Sequence, residues 1–349
     1  MSESPPVSHR GGLTSAYPHA RLGHFPTPLE PMPRLAAALG SPERLWVKRD
    51  DCTGLALGGN KVRQLEYYLG AALELGATRI LITGAVQSNY VRTAAAAAAK
   101  LGLACTVQLE DRVRGKDELY RRSGNVLLDH LLGADVVLYP EGEDEAGADA
   151  ALEQMAAAAA TRGERPYVVH LSEQPRPLGA LGYVAAAEEL FQQAAHIGLD
   201  IGTLVVSSGS AVTHAGVLVG VRALGYADVQ VVGACVRRDA GQQSARVLRV
   251  AASVASMLSR SVQISADDVT VDDTALAPGY GQLNPQTRHA MSSAATLEGL
   301  IVDPVYTGKC FAVGMDWYAR DTSDRATVLW HTGGTPALFA YGQSVLSGA

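Results

Sequence analysis

A chain of 349 residues, 47% hydrophobic and 18% charged, is long enough for about two domains and apolar enough to bury a sizeable core. That composition excludes a disordered chain, a fibrous protein and a disulfide-stapled mini-domain. The formal net charge of −6 is spread over interspersed acids and bases. Neither nucleic acid nor an anionic membrane is expected as a partner, and any anionic ligand needs a local site.

The first fifteen residues are rich in Ser, Pro and Gly and read as a flexible tail. After Pro28 short apolar runs alternate with helical spacing. Strands are expected at 45–48, 79–83, 104–109, 136–139 and 167–171, with helices at 60–76, 88–102, 121–132 and 147–162 among them. Then follow helix 179–197, strand 203–207, helix 213–224, strand 229–235, helix 240–259, strand 326–330 and helix 335–346. The alanine runs 94–99 and 156–160 read as helices lying close on a sheet. Strands alternating with helices imply α/β layers built from parallel β-α-β units. Cys52, Cys105, Cys235 and Cys310 are scattered without a C-x-x-C pair, so free thiols are expected and no metal. With no signal-peptide stretch and no run of 18 apolar residues, the expected location is the cytoplasm.

Five segments carry chemistry. Gly58-Gly59-Asn60-Lys61-Val62-Arg63 puts a lysine in the first turn of a helix behind a glycine pair. It is either a solvated surface lysine or an imine-forming amine whose pKa the helix end lowers. Gln87-Ser88-Asn89 follows a strand and opens a helix, with more polar groups than an N-cap needs, at the end of a strand where α/β sheets bind ligands. Ser207-Ser208-Gly209-Ser210-Ala211-Val212-Thr213 runs from a strand through a Ser/Gly turn into a helix, a geometry able to cradle phosphate. Neither a Walker loop nor G-x-G-x-x-G matches it. Tyr280 and Tyr306 lie in Gly/Pro loops, as turn packing or as phenols aimed into a cleft. His331 precedes Thr332-Gly333-Gly334 and reads as structural.

Taken in order, Lys-Arg-Asp-Asp (48–51), Gly-Gly-Asn-Lys-x-Arg (58–63), Gln-Ser-Asn (87–89), Thr-His-Ala-Gly (213–216), Asp-Pro-Val-Tyr-Thr-Gly-Lys (303–309) and His-Thr-Gly-Gly-x-Pro-Ala-Leu (331–338) resemble one family. It is that of D-cysteine desulfhydrase and 1-aminocyclopropane-1-carboxylate (ACC) deaminase, pyridoxal 5'-phosphate enzymes of the tryptophan-synthase-β-like fold type II. The similarity runs from about residue 20 to the C-terminus.

The resemblance implies two open, twisted parallel-sheet domains with the cofactor in the cleft: a small one at 56–171 and a large one from 16–55 plus 172–349. It implies that Lys61 holds the cofactor covalently and, once released, acts as base. Asn89 would bond the ring hydroxyl. Ser208, Gly209, Ser210, Ala211, Val212 and Thr213 would hold the phosphate, and Thr307 would face the pyridine nitrogen. Ser88, Tyr280 and Tyr306 would be catalytic, with Gln87, Ser88, Asn89, Arg176 and Thr332 toward the substrate. A homodimer is implied as well.

The implied reaction is α,β-elimination on a small β-substituted amino acid, D-cysteine giving pyruvate, ammonia and sulfide. A hydroxyl at Thr307 makes a milder electron sink than an acid there, which ranks elimination above ring opening. Two departures from the family pattern stand out. The loop 172–176 (Ser-Glu-Gln-Pro-Arg) replaces a glycine turn, and Ala211-Val212 replaces smaller residues. Arg176 is thus a candidate for meeting a second anion, which brings in L-cysteate as an alternative substrate beside ACC. A non-catalytic phosphate-ligand binder reusing the Ser/Gly loop is the other class of function.

Overall fold

The computed structural model describes residues 7–9, 11–40, 44–113, 115–142, 144–171 and 174–346. In chain order the strands are β1 (Ser8–His9), β2 (Pro18–His19), β3 (Leu29–Pro31), β4 (Leu45–Arg49), β5 (Arg79–Ala85) and β6 (Ala104–Glu110). They continue with β7 (Asp135–Tyr139), β8 (Pro166–Val169), β9 (Ile201–Ser208), β10 (Gln230–Cys235), β11 (Thr270–Asp272) and β12 (Ala326–His331). One sheet is four-stranded, β7-β6-β5-β8, and wholly parallel. The other is six-stranded, β11-β10-β9-β12-β4-β3, and parallel except where β3 meets β4. Helices cover both, as the apolar runs of β5, β9 and β12 require of strands buried on two faces. The fold class is α/β.

Most expected elements are present, and the differences have local causes. The start of the chain is not a loose tail from residue 7 onward: β1 pairs with β2, and Thr14 is buried with its Oγ1 2.7 Å from the Tyr67 hydroxyl. The Leu13 amide donates to Glu188. The helix expected at 121–132 is two pieces, Glu118–Arg122 and Gly124–Leu131, broken where Ser123 is extended at φ −106°, ψ −175°. Helices Pro285–Glu298 and Thr307–Arg320 were not expected. In the second, every residue from Thr307 to Met315 is buried. The final helix is short pieces, Thr335–Leu338, Phe339–Tyr341 and Gly342–Leu346. Among the described residues no helix is long and apolar enough to cross a membrane.

The Lys-Arg-Asp-Asp segment turns out to be a buried clamp. Arg63 donates to Asp50 through Nε and Nη2, both at 2.9 Å, and to Glu189 Oε1 at 2.8 Å, with Arg63 and Asp50 fully buried. Lys48 Nζ reaches Glu189 Oε1 at 2.5 Å and Gln193 Oε1 at 2.6 Å. Asp50 also accepts from Tyr183 at 2.6 Å and from Thr27 at 2.9 Å. Buried charges persist only when paired and hydrogen-bonded in this way. The clamp ties the end of β4 and the helix Leu181–Ile197 to the helix Asn60–Glu74, which begins beside Lys61.

Candidate active site

The carboxyl ends of the parallel strands in both sheets face one cavity, where an open α/β fold leaves backbone donors for ligands. Its walls include Asn60, Lys61 and Gln64 after β4, Ser88, Asn89 and Tyr90 after β5, and Arg112 after β6. From the larger sheet come Gly209 to Thr213 after β9, Arg237 and Arg238 after β10, and Thr332 and Gly333 after β12. Tyr280 and Tyr306 close it.

Lys61 reaches the cavity because two glycine loops cross beneath it. Gly58 has φ +66°, and a Cβ there would lie 2.0 Å from the Asp51 carbonyl oxygen. Gly333 has φ +87°, and a Cβ would lie 2.6 Å from Gly59 Cα. Only glycine permits that approach. The Lys61 Nζ lies 3.4 Å from Gln64 Oε1 and 5.3 Å from the centre of the Tyr90 ring. Burial lowers its pKa from 10.5 to about 8. Loss of hydration thus makes the amine available as a nucleophile near neutral pH.

The turn after β9 forms a cradle. Ala211 sits at φ +75° ahead of helix Val212–Ala223, whose first amides have no side-chain cap. Such open amides suit phosphate. Thr213 Oγ1 accepts from Asn60 Nδ2 at 3.0 Å and Gln64 Nε2 at 2.8 Å, so Gln64 links the amine to the cradle. Arg238 Nη1 and Arg246 Nε donate to the carbonyls of Gly209 and Ser210 at 3.1 and 3.2 Å. Ser208 departs from expectation. Its Oγ accepts from Gln243 at 2.8 Å and pairs with His214 Nδ1 at 3.1 Å, turned into the protein rather than lining the cavity.

Ser88 caps the helix Asn89–Leu101, its Oγ accepting from the Tyr90 and Val91 amides at 3.2 and 3.3 Å. Its own proton stays available to donate. Asn89 lines the cavity with its Oδ1 held by Asn125 at 2.9 Å. Gln87 does not face substrate. Its Nε2 donates to the carbonyls of Tyr120 and Ser123, and its Oε1 accepts from the Asn125 amide, so all its polar capacity braces the helix beginning at Gly124.

Thr307 is fully buried behind Thr332. Its Oγ1 donates to the Gly333 carbonyl at 2.8 Å and lies 3.2 Å from Thr332 Oγ1. Thr332, with Ser207 Oγ 3.5 Å away, presents the cavity-facing hydroxyl. The Tyr280 and Tyr306 hydroxyls are 2.6 Å apart, and burial pushes both phenols above their ordinary pKa. They remain protonated donors at neutral pH. His331 bonds the Ile301 carbonyl and the Gly333 amide, the structural role expected of it.

Arg176 is exposed and does not line the cavity, whereas Gln174 and Pro177 do. Ser172 and Glu173 of the same loop lie outside the described residues. Cationic lining is instead supplied by residues the motifs did not single out: Arg112, Arg237, Arg238 and Arg246. Glu145, the lining acid, pairs with three of them from across the cavity. Arg237-Arg238 begins two residues past the end of β10, a signal that could have found them. Glu145 arrives by tertiary packing alone.

An amine of lowered pKa, an amide cradle, a carboxamide and a neutral hydroxyl are together the donor set that pyridoxal phosphate requires of its aldehyde, phosphate, ring hydroxyl and ring nitrogen contacts. The comparisons agree. The family described as pyridoxal-phosphate dependent enzyme matches residues 20–333. D-cysteine desulfhydrase of Salmonella choleraesuis (strain SC-B67) is 40% identical over 327 residues, 93% of this chain and 96% of the relative. That of Salmonella paratyphi C (strain RKS4594) matches to the same extent. A crystal structure of an ACC deaminase homologue superposes with a TM-score of 0.83 at 32% identity, over 95% of this chain and 96% of that one. O-ureido-L-serine synthase, at 18% identity and a TM-score of 0.64 over 90% of this chain and 92% of its own, shares the fold. With the fold, the donor set and the full-length match in agreement, the chain belongs to the pyridoxal-phosphate dependent enzyme family.

Proposed function

We propose that this chain catalyses α,β-elimination on a small amino acid carrying a leaving group at Cβ, and that its substrate is D-cysteine. D-Cysteine and water then give pyruvate, ammonia and hydrogen sulfide. The observation that carries this reading is the single cavity lined at once by the Lys61 amine, the phosphate cradle and the Tyr280–Tyr306 phenol pair. The naming of relatives 40% identical over nearly the whole chain as D-cysteine desulfhydrase supports the choice of substrate.

When bound, pyridoxal phosphate supplies the electron sink that stabilises the carbanion left at Cα. The chain's own groups do the rest. Lys61, with its pKa near 8, takes the Cα proton at Nζ. The Ser88 hydroxyl orients the substrate carboxylate, and Asn89 would donate to the ring hydroxyl. Tyr280 and Tyr306, both protonated and joined by a short hydrogen bond, hold the proton that is delivered to the departing sulfur. At the ring nitrogen, the cavity-facing Thr332 hydroxyl, backed by Thr307, would stand in place of a carboxylate and favour release of a good leaving group over opening of a cyclopropane.

The two sheets are taken as the cores of two domains, 56–171 and 16–55 plus 172–349. A cytoplasmic homodimer is proposed too, supported by the four free thiols and by exposed Leu127, Leu131 and Leu138 beside one sheet edge. Side-by-side turnover of D-cysteine, L-cysteate and ACC tests the substrate. Pyruvate with sulfide from D-cysteine is expected. Sulfite from L-cysteate without sulfide from D-cysteine, or 2-oxobutyrate from ACC alone, overturns it.

A further inference from the structure

The geometry points to a positioning pair behind the cofactor site: we propose that Arg92 and Asn125 decide which end of the Asn89 carboxamide meets the cofactor ring. The proposal rests on Asn89 as the ring contact and reaches one layer further back.

A carboxamide has an accepting and a donating end of nearly equal size, so its orientation must be imposed by its partners. Arg92 lies fully buried in the helix Asn89–Leu101. Its Nη1 donates to the carbonyls of Ala56 and Gly58 at 2.5 and 3.1 Å, and its Nε faces Asn125 Oδ1 at 3.2 Å. A guanidinium only donates, so the end of Asn125 facing it must be the oxygen. The NH2 of Asn125 is thereby turned the other way, where it donates to the Gln87 carbonyl at 3.0 Å and to Asn89 Oδ1 at 2.9 Å. Asn89 must answer with its oxygen, which leaves its NH2 as the end free to donate to the oxygen on the cofactor ring. The backbone amide of Asn125, held by Gln87 Oε1 at 2.9 Å, keeps the relay in register. The same Arg92 also pins the left-handed stretch Ala56 (φ +42°) and Leu57 (φ +70°) that leads into Lys61. One buried cation thus orders both the approach to the amine and the polarity of the ring contact.

Asn125→Asp tests this, because aspartate keeps the shape of asparagine and removes the donor. Asn89 must then flip to donate to it and oppose its own oxygen to the ring oxygen. Protein stripped of cofactor is titrated with pyridoxal phosphate, reading the dissociation constant and the visible absorption band. The set comprises the parent, Asn125→Asp, Asn125→Ala, Asn89→Ala, and Asn89→Ala combined with each Asn125 variant. Asn125→Asp is expected to weaken binding about tenfold to hundredfold and to move the band, more than Asn125→Ala does. Both effects should vanish once Asn89 is alanine. A packing role gives the opposite order, since alanine leaves a hole and aspartate does not. That order, or an Asn125→Asp protein with parental affinity and band, overturns the proposal. Should Asn125→Asp fail to fold by circular dichroism, the Asn125→Ala cycle decides: coupling to Asn89 above about threefold supports the relay, and none overturns it. If Asn89→Ala alone binds like the parent, Asn89 is not the ring contact and the relay falls with it.

Discussion

Desolvation of Lys61 is the feature on which cofactor capture turns, and it can be perturbed by a single atom change. A pKa of about 8 in place of 10.5 means that the protein disfavours the charged amine by about 3 kcal/mol. At pH 7.5 about a quarter of the amine is then neutral, against roughly 0.1% for an ordinary lysine. Gln64→Glu places a carboxylate where a carboxamide oxygen now lies 3.4 Å from Nζ. An opposite charge at that range raises a pKa by about 1–3 units. The neutral fraction should fall to about 3% or less, at least an eightfold loss. Stopped-flow mixing of cofactor-free protein with pyridoxal phosphate, following the visible band across pH 6–10.5, reads this directly. The parent rate should rise with a midpoint near 8 and that of the variant with a midpoint at least one unit higher. Coinciding midpoints would refute desolvation as the control. The sign for stability follows: burial penalises the cofactor-free protein fully below pH 8, and the penalty fades as pH rises toward 10.5. Lys61→Ala should remove both the visible band and that pH dependence.

Three further outcomes are expected. Asp50→Asn leaves Arg63 and Lys48 undercompensated in a dry clamp and should cost about 3–5 kcal/mol, read by calorimetry as a melting point roughly 4–7 °C lower. Burial alone would raise the Asp50 carboxyl, but Arg63 overrides it and holds it below the ordinary value, so the parent's advantage should shrink as pH falls through the acid range. Thr213→Val removes the acceptor shared by Asn60 and Gln64 as well as a cradle hydroxyl, and should weaken pyridoxal phosphate binding about tenfold in an absorbance titration. Arg176→Ala should leave KM for D-cysteine and for L-cysteate within about twofold, because the side chain is exposed and off the cavity wall; a tenfold rise in either would restore it to the substrate site.

Much of this molecule is legible along the chain. Alternation of apolar runs and helical spacing marks strands such as β5, β9 and β12, because a parallel strand buried on both faces has to be apolar throughout. Local motifs likewise locate Lys61, Ser88, Asn89 and the turn 209–213, since each is a strand end followed by a helix start and carries its own chemistry. What the chain order does not carry is the direction of a side chain. Gln87, Ser208 and Thr307 stand beside or inside those motifs, yet packing turns each toward a partner more than five residues away, respectively Asn125, His214 and Gly333. The same packing brings Glu145 across to the arginines and Asn125 behind Asn89. Hydrogen-bond polarity is settled by which donors and acceptors meet after collapse. Residue types therefore set the available chemistry, whereas their allocation to ligand or to scaffold awaited the three-dimensional contacts.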